Sequence, residues 1–126
     1  MNEPTVIKPK LHLASFLQPE NFGSGRLIGI VEGPRPRNIK IDLQFSHFTP
    51  KTKLLENYKQ NKITGDDFVK EYKAQLETVF KEVNSIDELP FKDGDTLISW
   101  ERAEYTNYRK ILAPYLEKVG YEVVLN

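Results

Sequence analysis

Two short polar stretches near the end of the chain contain residue types that bind or transform anions. The first, Ser99-Trp100-Glu101-Arg102, directly follows an apolar run, and the second is Asn107-Tyr108-Arg109. Arginine presents a rigid fork of donors that matches phosphate and carboxylate, and the serine hydroxyl and asparagine amide are smaller donors. Glu101 adds a carboxylate that can act as an acid or a base. The combination predicts a site for an anionic ligand.

The same stretches contain flat aromatic rings. Trp100 and Tyr108 each offer a face on which a nucleobase can stack, and Arg102 and Arg109 flank them. A helix that begins near Asn107 would add free backbone amides, which favour anions. We therefore expect a small anionic, nucleotide-like ligand. In the alternative interpretation, both rings belong to the core and both arginines pair with nearby glutamates.

A proline-rich loop earlier in the chain supplies a second group of cations. Arg35 and Arg37 alternate with prolines within residues 33–40, and proline holds the backbone in an extended form. The two side chains should project from a stiff loop at a strand end and face the same anion as Arg109. The alternative is a solvated connecting loop.

The elements that position these side chains follow from the apolar periodicity. Apolar and alternating runs predict strands near residues 11–16, 27–31, 96–100 and 121–125. Apolar residues at steps of three and four predict helices near residues 50–60, 65–83 and 106–118. The fold class is therefore α/β, with a lead-in at residues 1–10 and a single domain at 11–126. We expect a mostly parallel four-stranded sheet with flanking helices. Ligands of such sheets bind beyond the carboxyl ends of the strands.

Local signals add detail to these elements. Thr49-Pro50 predicts a helix start, because threonine caps free amides and proline fits the first turn. Thr64, followed by two aspartates, predicts the next start. Gly29 inside a predicted strand indicates a close approach to the backbone. Pro114 predicts a kink or a restart of the last helix near Ala113.

Composition narrows the functional classes. The chain has 126 residues, with 18 basic and 18 acidic side chains and a formal net charge of zero. This balance argues against a general nucleic-acid coat and against a membrane-surface binder, which need a basic surplus. Cysteine is absent and histidine occurs twice, so we predict no thiolate or zinc site and no cofactor. The sequence shows no signal peptide and no apolar run long enough for a membrane span, which favours a cytoplasmic location.

Several of these stretches together resemble domain-of-unknown-function family 488. The resemblance starts at residues 36–40 and 48–54, the arginine-rich loop and the threonine–proline helix start. Short members of that family continue through a second helix, similar to residues 63–76, and then a strand, a polar loop, a helix and a final strand. The resemblance spans roughly residues 11–124, nearly the whole chain.

The last unit of that family carries its most reactive residue types. It usually has cysteine or serine at the strand end, then a charged pair, then Cys-His-Arg or Asn-His at the helix start. Ser99, Glu101-Arg102 and Asn107-Tyr108-Arg109 occupy these positions here. The resemblance implies the family's fold and its charged groups, but the cysteine and histidine are absent from this chain.

The sequence is compatible with three functions. The leading one is a domain that binds an anionic, nucleotide-like ligand without strong catalysis. The second is an enzyme that acts on a phosphorylated or nucleic-acid-linked substrate, with Glu101 as the catalytic acid or base. The third is an interaction or inhibitor protein with a protein partner. A serine hydrolase is disfavoured because no G-x-S-x-G elbow surrounds either Ser15 or Ser99.

Overall fold

The computed structural model describes residues 8–16, 18–30, 38–99 and 108–125. Within these ranges the strands are β1 (Lys10–Ser15), β2 (Leu27–Gly29), β3 (Leu43–Gln44), β4 (Thr96–Ser99) and β5 (Glu122–Leu125). The α-helices described are α1 (Thr52–Lys59), α2 (Gly65–Phe80) and α3 (Tyr108–Val119). Single turns of 3-10 helix lie at Pro19–Asn21, Ser46–Phe48 and Ile86–Glu88.

The five strands described form one parallel sheet in the order β3–β2–β4–β1–β5. The predicted α/β class with a parallel sheet is therefore confirmed, and each of the four predicted strands is present. The sequence prediction missed β3, which has two residues and pairs with β2 through Ile28 and Leu43. A segment this short has no periodicity to detect.

Strand β4 lies at the centre of the sheet, although it comes late in the chain. It pairs with β2 on one side and with β1 on the other, where Leu13 is opposite Leu97 and Ser15 is opposite Ser99. Because the strands are parallel, their carboxyl ends meet at one border of the sheet. We call this border, where Ser15, Gly29 and Ser99 end their strands, the carboxyl edge.

The α-helices pack on one face of this sheet. The main core joins strand residues such as Leu13 and Leu97 to Leu54 of α1, Phe68 of α2 and Leu112 of α3. The opposite face carries a smaller apolar cluster made of Phe16 and Ile98, with Phe22, Ile39 and Ile41 packed against them. The face that carries the α-helices therefore holds most of the buried apolar surface, and α3 places its first residues against it.

The start of α2 follows the sequence prediction. The Thr64 hydroxyl accepts a hydrogen bond from the Asp67 backbone N–H at 3.1 Å, and the Asp67 carboxylate accepts one from the Thr64 N–H at 3.2 Å. Phe68, Tyr72 and Leu76 are wholly buried along one side of this helix, as their spacing predicts. This reciprocal cap fixes where the helix begins and so which side faces the sheet.

The start of α1 differs from the sequence prediction. This helix begins at Thr52, and Thr49 does not cap it. Instead the Gln75 amide of α2 accepts from the Lys51 N–H at 3.2 Å and donates to the Thr49 carbonyl at 2.8 Å. A side chain distant in sequence therefore replaces the local cap, and two helices are joined in the process.

Pro114 lies inside α3, which runs without a restart from Tyr108 to Val119. Proline removes the hydrogen bond that would reach the carbonyl four residues earlier, that of Lys110. Both residues lie on the exposed side of the helix, where water can satisfy that carbonyl. No helix in the described part of the chain is long and apolar enough to cross a membrane.

Candidate functional site

Two buried serines lie next to each other at the carboxyl edge. Ser15 and Ser99 are partners in the register of β1 and β4, and each is 1% exposed. Strand side chains alternate between faces, and Leu13 and Leu97 belong to the main core. Both serines therefore point to the face covered by the α-helices. Within the described residues, the Ser99 hydroxyl makes no hydrogen bond although it is buried.

Tyr108, the first residue of α3 as described, ties the helix to the same edge. Its hydroxyl donates to the Ile30 carbonyl, just beyond the end of β2, at 2.9 Å. Its ring packs edge-on against Tyr72 with ring centroids 5.5 Å apart. The ring is therefore a core group, and the hydroxyl, not the ring face, borders the carboxyl edge.

The protonation state of Tyr108 follows from these surroundings. Burial raises the pKa of its phenol above the usual value, while the Ser99 hydroxyl and the positive charge of Arg109 act in the opposite direction. The Ser99 hydroxyl is close enough to affect the phenol, yet the pair does not meet the geometry of a hydrogen bond. Burial is the larger effect, so Tyr108 stays protonated at neutral pH and keeps donating to Ile30.

Arg109 supplies the positive charge of this region. It follows Tyr108 in the first described turn of α3, and its side chain is completely buried. A buried guanidinium is stable only where acceptors surround it, and its hydrogen bonds are strong because water is excluded. Of the four side chains Ser15, Ser99, Tyr108 and Arg109, this one alone carries a formal charge at neutral pH.

The structure thus brings together three of the predicted site residues, Ser99, Tyr108 and Arg109. The other predicted residues lie outside the described part of the chain: Arg35, Arg37, Trp100, Glu101, Arg102 and Asn107. Convergence of the arginine loop on Arg109 therefore stays a prediction, and so does the acid or base role of Glu101.

Ser15 is a member of the cluster that sequence reasoning did not place in the site. The sequence presents it only as a disfavoured hydrolase nucleophile. Its position near the end of a predicted strand, one residue before the last, is equivalent to that of Ser99 and was the available signal. What the sequence could not show is that β1 and β4 are neighbours, since 84 positions separate the two serines.

The opposite edge of the sheet holds a second polar cluster, centred on Asp95 just before β4. Its carboxylate accepts from the Arg26 guanidinium at 2.7 Å, from the Arg26 N–H at 3.0 Å and from the Lys92 N–H at 2.8 Å. Burial acts to raise the pKa of Asp95, but the Arg26 side chain, the two backbone donors and the charge of Arg26 together lower it. These bonds join the start of β4 to the loop before β2, so we assign the pair a structural role.

Comparison of the chain with protein-family models, with curated proteins and with solved structures finds no match. Within the described residues, histidine, aspartate and glutamate side chains form no group of three that could hold a metal ion. The chemistry of the carboxyl edge must therefore be inferred from its own residues.

Proposed function

We propose that the protein binds a small oxyanion, or the anionic group of a larger ligand, at the carboxyl edge of its sheet. One observation carries the proposal: the completely buried Arg109 lies next in sequence to Tyr108, whose hydroxyl is close to the buried Ser99 hydroxyl. An arginine fork can give two parallel hydrogen bonds to an oxyanion, and an adjacent hydroxyl can give a third. Charge-assisted hydrogen bonds of this kind are roughly twice as strong as hydrogen bonds between neutral groups.

Tyr108 has a positioning role in this proposal. Its proton is directed to the Ile30 carbonyl and its ring packs against Tyr72, so it fixes the first described turn of α3 against the end of β2 and against α2. Arg109 follows directly and is oriented by the same contacts. The described residues offer a charged and hydrogen-bonding surface, and the nucleobase part of the expected ligand rests on Trp100, which lies outside them.

We also propose that the chain is related to domain-of-unknown-function family 488. The order of elements supports this relation: a first strand, two helices, a central strand, a helix and a final strand. The position of Ser99 at the end of β4 and of Arg109 at the start of α3 matches the order of the family's last unit. The relation is independent of the anion site, which stands on its geometry.

Isothermal titration calorimetry tests the anion site. The panel should contain phosphate, sulfate, sugar phosphates and nucleoside monophosphates. Replacement of Arg109 by alanine should weaken binding by about 1.5–3 kcal/mol, the usual value of a hydrogen bond to a charged group. Lys110→Ala is the matched control, because Lys110 is the next residue and is exposed to solvent. It should bind like the parent protein.

A second variant guards against misfolding of Arg109→Ala. Arg109→Lys keeps the charge and much of the volume but loses the planar fork, so binding should fall while thermal unfolding shows an intact fold. If the parent protein binds no member of the panel at millimolar concentration, or if both Arg109 variants bind as tightly as the parent, the anion site is wrong.

A further inference from the structure

We infer that the outer edge of β5 is a docking site for an extended, basic segment of another protein, which adds to the sheet as a further strand. A lysine or arginine of that segment lies beside Glu117 and Glu122, next to the start of β5. The residues of this surface are not those of the anion site, so the two proposals are independent.

The unpaired backbone of β5 is the first observation. Among the described strands, β5 lies at one end of the sheet and pairs only with β1. The Glu122 N–H donates to the Pro9 carbonyl at 2.9 Å, so Glu122 and Val124 direct their backbone groups toward β1. The backbone groups of Val123 and Leu125 then point outward, where no described residue bonds them. Such an edge is a template for the addition of an extended peptide.

The side chains of Val123 and Leu125 give this edge an apolar row. They are two positions apart and therefore share a face of the sheet. Val123 packs against the main core, and among the large apolar side chains of the described residues only that of Leu125 is exposed, at 37%. Alternate side chains of an added strand can cover this row. The strand at the other end of the sheet, β3, has only two residues, so β5 offers the longer edge.

An open cavity of about 250 Å³ beside the start of β5 defines the charge of the partner. It is lined by Lys8, Glu117, Tyr121, Glu122 and Val123. Within the described residues, the carboxylates of Glu117 and Glu122 form no salt bridge or hydrogen bond, and both side chains are exposed. Two carboxylates and one ammonium give the lining a net negative charge, so the cavity favours a cation from the partner.

This charge argues against a second copy of the chain as the occupant. The β5 strand of a second copy carries Glu122 and neither lysine nor arginine within Glu122–Leu125. Antiparallel pairing of two β5 strands would therefore bring no cation from either strand to the cavities. An extended segment with a basic residue satisfies both the open backbone groups and the carboxylates.

Nuclear magnetic resonance titration of the labelled full chain tests the docking site. The probe is a short blocked peptide of alternating valine and threonine with a lysine at each end, so that either strand direction brings a cation to the cavity. The backbone amides of Val123 and Leu125 should shift and reach saturation at millimolar peptide. The same peptide with a glutamate at each end is the control. It should bind at least about fivefold more weakly, because its charges are repelled by Glu117 and Glu122.

Two sets of variants separate backbone pairing from charge. Leu125→Pro removes an outward N–H and leaves the bonds to β1 in place, whereas Leu125→Ala only shortens the side chain. The proline variant should bind the lysine peptide about two- to tenfold more weakly than the alanine variant, the usual effect of one hydrogen bond. Glu117→Gln combined with Glu122→Gln should weaken binding by about two- to fivefold. Glu56→Gln is the matched control, because Glu56 is exposed on α1, which packs against α2, and it should bind like the parent protein.

The contrary outcomes each overturn the proposal. Absence of saturable shifts in β5 with the lysine peptide excludes the docking site. Equal binding of the two peptides, or of the two Leu125 variants, excludes strand addition guided by charge. If the parent protein sediments as a dimer and dilution shifts the amides of Val123 and Leu125, the edge belongs to a second copy instead. The two glutamine replacements alter exposed side chains, so this combined variant and the two peptides decide the question even if Leu125→Pro unfolds.

Discussion

At the scale of single residues, Tyr108 joins the core to the carboxyl edge. Replacement of Tyr108 by phenylalanine removes a hydrogen bond to the carbonyl of the buried residue Ile30. The free energy of unfolding should fall by about 1–3 kcal/mol in urea titrations. Tyr115→Phe on the same helix is the control, since its hydroxyl makes a long, exposed contact of 3.4 Å with Glu77. Equal effects for the two variants would mean that the Tyr108 hydroxyl is unimportant.

Asp95 gives a prediction about pH. A carboxyl group whose pKa is lowered by folding stabilises the protein at pH values above the pKa of the unfolded state, which is 3.8. This contribution disappears as the pH falls through the pKa of the folded state. Asp95→Asn should therefore lower the free energy of unfolding at pH 7 by about 1–3 kcal/mol. The effect is limited because Arg26 is partly exposed and solvent screens its charge. The difference between variant and parent should shrink below about pH 4, where the parent carboxyl takes up its proton. A difference that stays constant down to pH 2 would exclude this linkage.

Replacement of Glu101 by glutamine distinguishes a binding protein from an enzyme. In an enzyme that uses this carboxylate for proton transfer, Glu101→Gln should reduce turnover by about two to four orders of magnitude. In a binding protein it removes a negative charge close to an anion, so the affinity for phosphate should hold or improve. We expect the second result, measured by calorimetry on the variant and the parent. A loss of affinity on removal of this charge would contradict the binding proposal.

The sequence predicted a site at Ser99 and Arg109 because polar residues cluster suddenly after an apolar run, and the binding role of both residues stays a prediction. It did not identify the role of Asp95, because the partner Arg26 lies 69 positions earlier and no local pattern links them. Strand ends mark candidate residues in the sequence, but roles that a distant partner defines leave no local pattern.

At the scale of elements, α2 was the easiest to predict and has the clearest test. Leu76 is wholly buried between the helix and the sheet, and Leu76→Ala should cost about 2–5 kcal/mol of unfolding free energy. Lys73→Ala on the exposed side of the same helix should change it by less than about 0.5 kcal/mol. A change below half a kilocalorie at Leu76 would show that the helix packs differently.

Other elements depended on contacts that the sequence does not display. Strand β3 consists of two residues that pair with β2. The Gln44 side chain of β3 lies against Gly29, where a Cβ atom on residue 29 would meet the Gln44 amide oxygen. The sequence indicated a close approach at Gly29 but not the group that makes it. The start of α1 likewise depends on Gln75 of another helix. Periodicity predicts elements that carry their own pattern, whereas these two are completed by neighbours.

At the scale of the whole molecule, the insertion of β4 between β2 and β1 assembles the residues of the proposed site. This order places Ser99 beside Ser15 and brings the start of α3 to the end of β2. The sequence predicted that polar residues would gather at the strand ends, since parallel sheets place ligands there. Which strands are neighbours is set by the packing of the entire chain, so the pairing of the two serines could not be predicted.

The most direct test of the central claim is a phosphate titration followed by nuclear magnetic resonance of labelled protein. The side-chain Nε–H of Arg109 and the backbone amide of Ser99 should shift together and reach saturation. Arg26 is the internal control, because its guanidinium is engaged by Asp95 at the opposite edge and its resonance should stay in place. Saturable shifts confined to the carboxyl edge are the predicted result. Shifts at Arg26 without shifts at Arg109 would contradict an anion site formed by Arg109 and Ser99.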